Sequence, residues 1–370
     1  MNPSTLRLAL DIGPLYGHRT GVGVAVAGML RALQRRDDVA VDGYLVSVRT
    51  DPASGHRKLP IPGIVASYLW SKSDRPSADR WLGNADVVHG TNYVAPPSTR
   101  PTIISVYDCW FLEHSTEAAP LVRRAGQTLR RAVSRGAWIH ASSEATARQA
   151  SELLGTDRIV TVHLGTPPTP PPLRELARPQ FAATFTGRPF IVSIGTEERR
   201  KDLSLLIEAF DVVATRSPDP VLVLAGATGD DTDLISRTIA SCSPSVRDRI
   251  HRLGRVDDTT KYWLLRQASI LAYPSLDEGF GFPILEAQSA GTPVVARNVG
   301  AVPEIAGEGG HLVTQREPEA FAEALVQLLH DAGLRLSLIS AGTRNLKRFD
   351  WDATAVGLID LYHRAKDSSE

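Results

Sequence analysis

The segment that most constrains the fold of this chain runs from Asp277 to Gly291, with the sequence DEGFGFPILEAQSAG. An apolar run immediately before it, Ser269 to Tyr273, predicts a buried strand. Pro283 is typical of the first residues of a helix, where its missing N–H costs no hydrogen bond. Gly291 is typical of the position just beyond a helix end. The segment therefore predicts a strand, a glycine loop and a short helix in succession.

Two acidic residues flank this glycine loop: Glu278 precedes the helix, and Glu286 follows eight residues later. Gly279 and Gly281 let the backbone approach a ligand closely, because they carry no Cβ. The free N–H groups at a helix start favour an anion. Carboxylates that accept hydroxyl hydrogens on either side of a phosphate site match the polarity of a nucleotide sugar. The alternative is an N-cap glutamate plus a surface glutamate, since short motifs also occur by chance.

The composition of the chain limits the classes of protein to consider. Its 370 residues are enough for two domains of ordinary size. The 41 basic and 41 acidic residues give a formal net charge of zero, which argues against a general nucleic-acid-binding protein. The two cysteines, Cys109 and Cys242, show no metal-ligand spacing and make no disulfide framework. We expect no metal, no signal peptide and no membrane-spanning segment, and a cytoplasmic location.

Strand and helix patterns alternate along both halves of the chain. Leu6 to Ile12 predicts a first strand, and a helix pattern opens at residues 21–23, GVG. Val26 stands where a dinucleotide fingerprint would have its third glycine, so we discount NAD binding. The stiff proline-rich segment at residues 167–172 predicts a domain boundary, and Phe190 to Ile194 begins the strand pattern again.

This alternation predicts an α/β fold with two Rossmann-like, doubly wound domains. We place an amino-terminal domain over residues 1–170 and a carboxy-terminal domain over residues 185–350, followed by a last helix over residues 351–366. The polar segment from Asp51 to Arg80 contains several prolines. It predicts a mobile, irregular surface loop or a plain insertion.

Polar residues follow two short strands of the amino-terminal half. His89 and Asn92 come at the end of one strand, and Tyr107 and Asp108 at the end of the next. In open α/β sheets, ligands bind beyond the carboxyl ends of the strands, so these four residues are candidates for a binding site. The alternatives are structural, with His89 capping a turn and Asp108 capping a helix.

A helix pattern over residues 121–138 separates charged from apolar side chains when successive residues are placed about 100° apart. The arginine-rich arc consists of Arg123, Arg124, Gln127, Arg130, Arg131, Ser134 and Arg135. The apolar arc, which would pack on the sheet, consists of Val122, Ala125, Leu129, Ala132 and Val133. The arginine face, Arg123–Arg135, would meet a phosphate-bearing acceptor or anionic lipid head groups, peripherally at the inner membrane face. A solvated charged face is the alternative.

Several motifs together resemble the retaining glycosyltransferases of family 4, which have the GT-B fold. Their E-x7-E pattern is Glu278 to Glu286, and residues 291–305 are similar to the family's next segment. Residues 195–202, GTEERRKD, are similar to its G-T-x-x-x-R-K-N segment, with Asp202 in place of asparagine. Further segments that resemble the family are residues 21–23, 89–93, 255–257 and 349–351. The last of these would begin the helix over residues 351–366, which in the family crosses back to the amino-terminal domain. The resemblance covers nearly the whole chain and is weakest over residues 51–80.

The resemblance implies two domains that face a central cleft, and it implies roles for individual residues. Arg200 and Lys201 would bind the diphosphate, Glu278 the donor sugar and Glu286 the ribose; we add Asp108 to the catalytic candidates. The remaining implied donor contacts are Gly23, Thr196, Val256, Gly279, Phe280, Gly281 and Phe282. The acceptor-side candidates are Gly21, His89, Asn92 and Tyr107.

The activity implied is that of a retaining, metal-independent hexosyltransferase. It would move a mannose- or glucose-type hexose from a GDP- or UDP-linked donor to a hydroxyl of a glycan, lipid-linked or small-molecule acceptor, as in polysaccharide biosynthesis, with no other cofactor. Tyr107 departs from the family pattern, because many members have histidine before the aspartate that corresponds to Asp108. The alternatives are a catalytically impaired nucleotide-sugar-binding protein, a sugar-nucleotide epimerase of the same fold and a hydrolase with paired carboxylates.

Overall fold

A computed structural model describes residues 5–17, 20–116, 119–185, 187–217 and 219–368 of the protein. The chain divides into two compact units. Unit 1 comprises Met1–Gly165 and Phe349–Glu370, and unit 2 comprises Thr166–Arg348. The division therefore falls immediately before the proline-rich segment at residues 167–172.

Unit 1 is organised around one parallel sheet. Its described strands are β1 (Leu6–Asp11), β2 (Val39–Val46), β3 (Arg57–Leu59), β4 (Val87–Gly90), β5 (Thr102–Val106), β6 (Trp138–Ala141) and β7 (Ile159–Thr161). They pair in the order β3-β2-β1-β4-β5-β6-β7. The helices of this part of the chain are α1 (Gly21–Gln34), α2 (Gly63–Lys72), α3 (Trp110–Glu113), α4 (Pro120–Ser134) and α5 (Glu144–Leu154).

Unit 2 repeats this architecture with a second parallel sheet. Its described strands are β8 (Phe190–Ile194), β9 (Val221–Ala225), β10 (Ile250–Gly254), β11 (Ile270–Tyr273), β12 (Val294–Arg297) and β13 (Gly310–Val313). They pair in the order β10-β9-β8-β11-β12-β13. The helices are α6 (Leu203–Arg216), α7 (Thr232–Ser241), α8 (Pro244–Arg247), α9 (Asp258–Gln267), α10 (Phe282–Ala290), α11 (Val302–Ala306), α12 (Pro318–His330) and α13 (Ala332–Asn345).

The central strands are buried and mainly apolar on both faces because helices cover both sides of each sheet. All residues of β4, β9, β11 and β12 are buried. Parallel sheets of this kind produce continuous apolar runs rather than alternating ones. The runs that predicted buried strands in the sequence have this origin.

The last helix, α14 (Trp351–Asp367), belongs to unit 1. Its first residue, Trp351, packs where two glycines leave room. A Cβ added to Gly28 or to Gly165 would lie 2.2 Å or 2.4 Å from the Trp351 ring. Thr354 Oγ1 also donates a 2.8 Å hydrogen bond to the carbonyl of His163. These contacts hold the start of α14 to the first unit.

The segment from Asp51 to Arg80 is not the irregular loop that the sequence suggested. It contains β3, which extends the sheet, and α2, which packs against α4. Strand β3 is only three residues long, and α2 leaves Ile64, Val65 and Tyr68 exposed while it buries Ala66 and Trp70. Neither element therefore has the regular apolar spacing that reveals a strand or helix in a sequence.

Within the described residues, no helix has both the length and the apolarity needed to cross a membrane.

Candidate functional site

Two loops at the carboxyl edge of the unit 2 sheet bring two cations to one carboxylate. Strand β8 leads into a 3-10 turn at Arg199–Lys201, and the neighbouring strand β11 leads into the loop that holds Glu278. Lys201 Nζ donates a hydrogen bond to Glu278 Oε1, and Arg200 Nη1 donates one to Glu278 Oε2 across 3.0 Å. The fold thus joins residues that are 77 and 78 positions apart in the sequence.

This cluster is buried and charged. Glu278 is 6% exposed and Lys201 is 9% exposed. Burial raises the pKa of the Glu278 carboxyl group, but Lys201 and Arg200 lower it by more, and the resulting pKa is about 2. Ser275 Oγ donates a 2.7 Å hydrogen bond to Glu278 Oε1, and Lys201 Nζ lies 3.2 Å from the hydroxyl of Tyr273. Glu278 is therefore ionised at neutral pH, with both oxygens engaged.

The backbone around Glu278 is held by the loop after β12. Gly300 has a φ of 51°, and a Cβ at this position would lie only 2.6 Å from the carbonyl oxygen of Glu278. The N–H of the next residue, Ala301, donates to that same carbonyl across 2.8 Å. Gly279, which follows Glu278, is buried in the same loop. Glycine at position 300 is required here both by its left-handed conformation and by the close approach.

The glycine loop folds tightly before α10. Gly281, with a φ of 95°, is the residue that caps the start of the helix. The rings of Phe280 and Phe282 are buried and meet edge to face, with centroids 5.1 Å apart. Pro283 lies in the first turn of α10, and Gly291, with a φ of 78°, ends it. The helix boundaries predicted from the sequence are confirmed to within one residue.

Glu286 is paired with a lysine, Lys261. It lies in the second turn of α10, is 6% exposed, and its Oε1 accepts a 2.8 Å hydrogen bond from Lys261 Nζ on α9. Lys261 Nζ also lies 3.4 Å from Asp258 Oδ1. Burial lowers the pKa of Lys261, but Glu286, Asp258 and Tyr262 together raise it by more, so the lysine is charged. Lys261 was not predicted from the sequence. It could have been noticed as a lysine shortly after the family-like segment at residues 255–257, in a chain that is rich in arginine.

Two further predicted donor contacts lie on loops at the same edge of the unit 2 sheet. Thr196 follows β8 and Val256 follows β10, and both are half-buried. An ion pair of 2.7 Å, between Glu197 beside Thr196 and Arg252 on β10, ties these regions together. Asp202 has the left-handed φ of 48°, which asparagine and aspartate tolerate best among residues with a Cβ.

His89 lies in the core of unit 1. It is 0% exposed, and its two ring nitrogens each lie 2.8 Å from a hydroxyl group, those of Tyr362 and Ser105. The Ser105 hydroxyl continues to His140 Nδ1 at 2.8 Å, and His140 Nε2 lies 2.9 Å from the carbonyl of Val162. The structure therefore does not bring His89 to the surface where a ligand would bind, because its ring is enclosed between β5 and α14.

Tyr107 is also enclosed, whereas Asp108 and Asn92 are more accessible. The Tyr107 hydroxyl donates a 2.9 Å hydrogen bond to the carbonyl of Thr91, and burial raises its pKa above the usual value. Asp108 is half-buried and accepts a 3.1 Å hydrogen bond from the Tyr93 hydroxyl. Asn92 is exposed. The Tyr107 hydroxyl is therefore hydrogen-bonded to the backbone and does not face a ligand site.

The predicted glycines of unit 1 lie in the first turn of α1. Gly21 is exposed and Gly23 is buried. Together with Asn92, Gly21 is the part of the predicted acceptor side that lies at the surface of this unit.

The arginine-rich arc of α4 is only partly free of local partners. Arg131 and Arg135 pair with Asp74, and Arg124 lies over the ring of Tyr68 with 5.5 Å between its Cζ and the centroid. The apolar arc was predicted with one error: Val122 is 41% exposed, since the buried face of α4 begins only in the second turn, at Gly126.

Among the described residues, no group of three or more histidine, cysteine, aspartate or glutamate side chains is placed to hold a metal ion.

The second unit matches a family model described as "Glycosyl transferases group 1", over residues 177–345. A phosphatidyl-myo-inositol mannosyltransferase of Mycobacterium leprae (strain TN) is 30% identical over 345 residues, which cover 90% of this chain and 86% of that relative. The chain belongs to the group 1 family of glycosyl transferases. It is therefore a glycosyltransferase, and its motifs are consistent with the family 4 resemblance.

Two further comparisons bear on this glycosyltransferase. An O-antigen chain mannosyltransferase B of Escherichia coli is 33% identical over 176 residues, 47% of this chain and 45% of that relative. The solved structure of sucrose-phosphate synthase from Thermosynechococcus elongatus superposes with a TM-score of 0.73 at 17% identity, and the match covers 98% of this chain and all of that one. This likeness shows the fold, which is the GT-B fold with two Rossmann-like domains.

Proposed function

We propose that this glycosyltransferase moves a mannose- or glucose-type hexose from a nucleoside-diphosphate sugar to an acceptor hydroxyl, with retention of the anomeric configuration. The observation that carries the proposal is the buried cluster of Arg200, Lys201 and Glu278 beside the start of α10. A donor diphosphate brings about two negative charges, and fixed cations at the carboxyl edge of a parallel sheet suit it. The names of the M. leprae and E. coli relatives both specify mannosyl transfer, which supports a hexose of this type.

The cluster is suited to stabilise the leaving group. Lys201 Nζ has three N–H donors, and its described hydrogen bonds to Glu278 and Tyr273 use two of them. The third remains for a phosphate oxygen. As the bond from the sugar to the phosphate breaks, negative charge grows on that phosphate, and preorganised donors lower the barrier.

Retention follows from attack on the face that the phosphate leaves. The bond from the anomeric carbon to the phosphate oxygen breaks through an oxocarbenium-like state, and the bond to the acceptor oxygen forms on the same face. The acceptor's proton moves to the departing phosphate, so charge and atoms balance. Glu278 is a poor nucleophile in this scheme, because both of its oxygens already accept hydrogen bonds from Lys201, Arg200 and Ser275.

The rest of the donor would be held by neighbouring groups. Glu286, oriented by Lys261, would accept from the ribose hydroxyls, and the loop at 279–282 would face the sugar. We propose GDP or UDP as the nucleotide, no metal requirement, and a glycan, lipid-linked or small-molecule acceptor. The Arg123–Arg135 face of α4, with the exposed Leu121 and Val122, would attach the protein to the cytoplasmic face of an anionic membrane.

A transfer assay tests the reaction. GDP-mannose, GDP-glucose and UDP-glucose would each be incubated with phosphatidylinositol vesicles, oligosaccharides and octyl glucoside, with EDTA present. Release of nucleoside diphosphate that depends on acceptor supports transfer, and proton NMR of the first product formed reads its anomeric configuration. An inverted product would refute retention, and loss of turnover in EDTA would refute metal independence. If the protein binds the nucleotide but no combination of donor and acceptor gives transfer, the alternative of a nucleotide-sugar-binding protein is supported.

Vesicle sedimentation tests the membrane contact. We expect the Arg124→Gln/Arg131→Gln variant to bind phosphatidylglycerol vesicles several-fold more weakly than the parent protein, while Arg148→Gln on α5 binds like the parent. Equal binding by all three proteins would remove the membrane proposal and leave the transfer proposal standing.

A further inference from the structure

A cavity of about 480 Å³ lies within unit 1, in the size range of small-molecule sites. It is bounded by the carboxyl ends of β1 and β2 and by the facing sides of α2 and α4. Its walls are mostly apolar, and they include Val22, Leu45, Ala66, Trp70 and Ala125. The segment that the sequence left as an irregular loop thus supplies one wall, through α2.

Polar side chains also line this cavity, and two of them, Asp11 and Tyr44, lie near the ends of neighbouring strands; the others are Tyr16, Thr20, Ser67, Asn92 and Thr128. Asp11 and Tyr44 both line the cavity, and they are direct partners in the register of β1 and β2, so their side chains leave the sheet on the same face. Asp11 Oδ1 accepts a 2.8 Å hydrogen bond from the N–H of Gly13. Burial raises the pKa of the Asp11 carboxyl group to about 6. Asp11 is thus half-buried, and one of its carboxyl oxygens is oriented by the backbone.

The Tyr44 hydroxyl is the observation that points to a ligand. Tyr44 is 1% exposed, and its hydroxyl oxygen has no hydrogen-bond partner among the described residues. Buried polar atoms in folded proteins nearly always have partners, because an unsatisfied one destabilises the fold. A phenylalanine would fill the same space without this cost. The hydroxyl therefore fits a molecule that enters the cavity.

The lining defines the chemistry of that molecule. The described residues that line the cavity include Asp11 but neither lysine nor arginine. A phosphate or another anion would meet the Asp11 carboxylate there and no cationic side chain. A carboxylate and a phenol instead suit a neutral hydroxyl group, which donates to one and accepts from the other. The surrounding apolar walls suit an aliphatic or aromatic body.

Apolar surface also borders the cavity on its solvent side. Leu121 on α4 lines the cavity and is also 57% exposed, so apolar surface extends from the cavity towards solvent. An apolar chain that leaves the cavity between α2 and α4 would therefore still meet apolar surface.

We propose that this cavity is the acceptor site and that it takes an uncharged amphiphile, with a hydroxyl group at Asp11 and Tyr44 and the apolar part between α2 and α4. The role of the cavity as an acceptor site rests on the proposed function. Binding of the amphiphile in the cavity does not depend on catalysis.

Calorimetric titration with octyl glucoside, below its micelle-forming concentration, tests the binding. We expect the parent protein to bind it, and to bind glucose or octyl sulfate at least about tenfold more weakly, because each lacks one of the two matched parts. Tyr44→Phe should bind octyl glucoside about threefold to tenfold more weakly, the effect of one hydrogen bond. It should be at least as stable as the parent, since only an unpartnered hydroxyl is lost.

A cavity-filling variant provides the matched control. Ala125→Phe adds a ring to the wall and should abolish binding, whereas Val356→Phe adds the same ring at an exposed position of α14 and should not change it. Failure of the parent protein to bind octyl glucoside, or unchanged binding by Ala125→Phe, would overturn the proposal.

Kinetics separate this proposal from the proposed function. With any productive donor and an alkyl glycoside acceptor, Tyr44→Phe should raise the KM for the acceptor and leave the KM for the donor unchanged. If the parent protein transfers sugar but does not bind octyl glucoside, and Tyr44→Phe leaves the KM for the acceptor unchanged, the cavity is not the acceptor site and the proposed function stands. Octyl glucoside binding by a protein that transfers no sugar would refute the proposed function and keep the site.

Discussion

The ring of His89 lies 2.8 Å from the hydroxyl of Tyr362, a residue 273 positions later in the chain. Through Ser105 and His140, the same chain of hydrogen bonds reaches the carbonyl of Val162. Three central strands and the last helix of unit 1 are therefore joined by one buried polar network. Such a network stabilises a fold only while its histidines stay neutral.

The first prediction concerns acid stability. Burial lowers the pKa of both histidines, that of His140 to about 4, whereas an unfolded histidine titrates near 6.5. Between those values the unfolded chain binds more protons than the folded one, so the stability that is present above pH 6.5 is lost as the pH falls. We expect the His89→Asn/His140→Asn variant to lose less free energy of unfolding between pH 7.5 and pH 5 than the parent protein. Urea unfolding followed by circular dichroism measures both, and identical pH dependence would contradict the assignment.

The second prediction concerns the buried pair of unit 2. Lys201→Met and Glu278→Gln each leave a buried charge with weaker compensation, so each should lower the free energy of unfolding by about 3–5 kcal/mol. Each should also slow transfer about 100-fold or more. The double variant removes both charges and should regain most of the stability but none of the activity. Urea titrations and initial rates would show this pattern.

A matched control for this pair lies on the surface of the same unit. Arg216 and Glu323 form an ion pair of 2.5 Å, with side chains 46% and 67% exposed. Arg216→Met/Glu323→Gln should change the free energy of unfolding by less than about 1 kcal/mol and leave transfer intact. Near-normal turnover in Lys201→Met would count decisively against the site.

The third prediction concerns Gly300. Alanine at this position would strain a φ of 51° and push a methyl group against the Glu278 carbonyl. We expect Gly300→Ala to misplace Glu278 and to slow transfer about 100-fold. Gly155→Ala is the control, because Gly155 has a similar φ of 63° with open space around it. Gly155→Ala should lose about 1 kcal/mol of stability from backbone strain, and Gly300→Ala should lose more because of the added clash. Equal activity in the two variants would refute the role of the close approach.

The fourth prediction concerns Asp11. Its pKa rises from 3.8 to about 6 on folding, so between these values the folded protein holds a proton that the unfolded chain has released. Asp11 therefore favours the folded state at low pH, and this contribution is lost as the pH rises through 6. Asp11→Asn should gain stability relative to the parent between pH 4.5 and pH 7.5, by about 2 kcal/mol, because about 1.5 pH units of this window lie below the folded pKa, at about 1.4 kcal/mol each. A difference that does not change with pH would show that Asp11 is not buried as described.

The sequence was most informative where local chemistry decides the structure. Pro283 and Gly291 marked the ends of α10, since a missing N–H and a left-handed φ are properties of single residues. Apolar runs marked the buried strands for a similar reason. The pairing of Lys201 with Glu278 needed strand order as well, because only the adjacency of β8 and β11 brings the two loops together.

The sequence was least informative where tertiary packing decides. Helix α2 leaves apolar side chains exposed, so its pattern did not separate an inner from an outer face. His89 was predicted at a ligand site because it lies near the end of a strand. Its ring is instead hydrogen-bonded to hydroxyl groups on β5 and α14. Neither partner is near it in the sequence, and no local pattern could reveal them.

Unit 2 is a single uninterrupted stretch of chain, entered after Gly165 and left before Phe349. Everything that holds Lys201 and Glu278 in place could therefore be exchanged with a relative as one cassette, spliced at only two junctions. Under the proposed function, we expect a chimera made in this way to take its choice of nucleotide sugar from the insert and its choice of acceptor from the recipient. Trimming the last helix would instead damage the half of the protein that begins the chain.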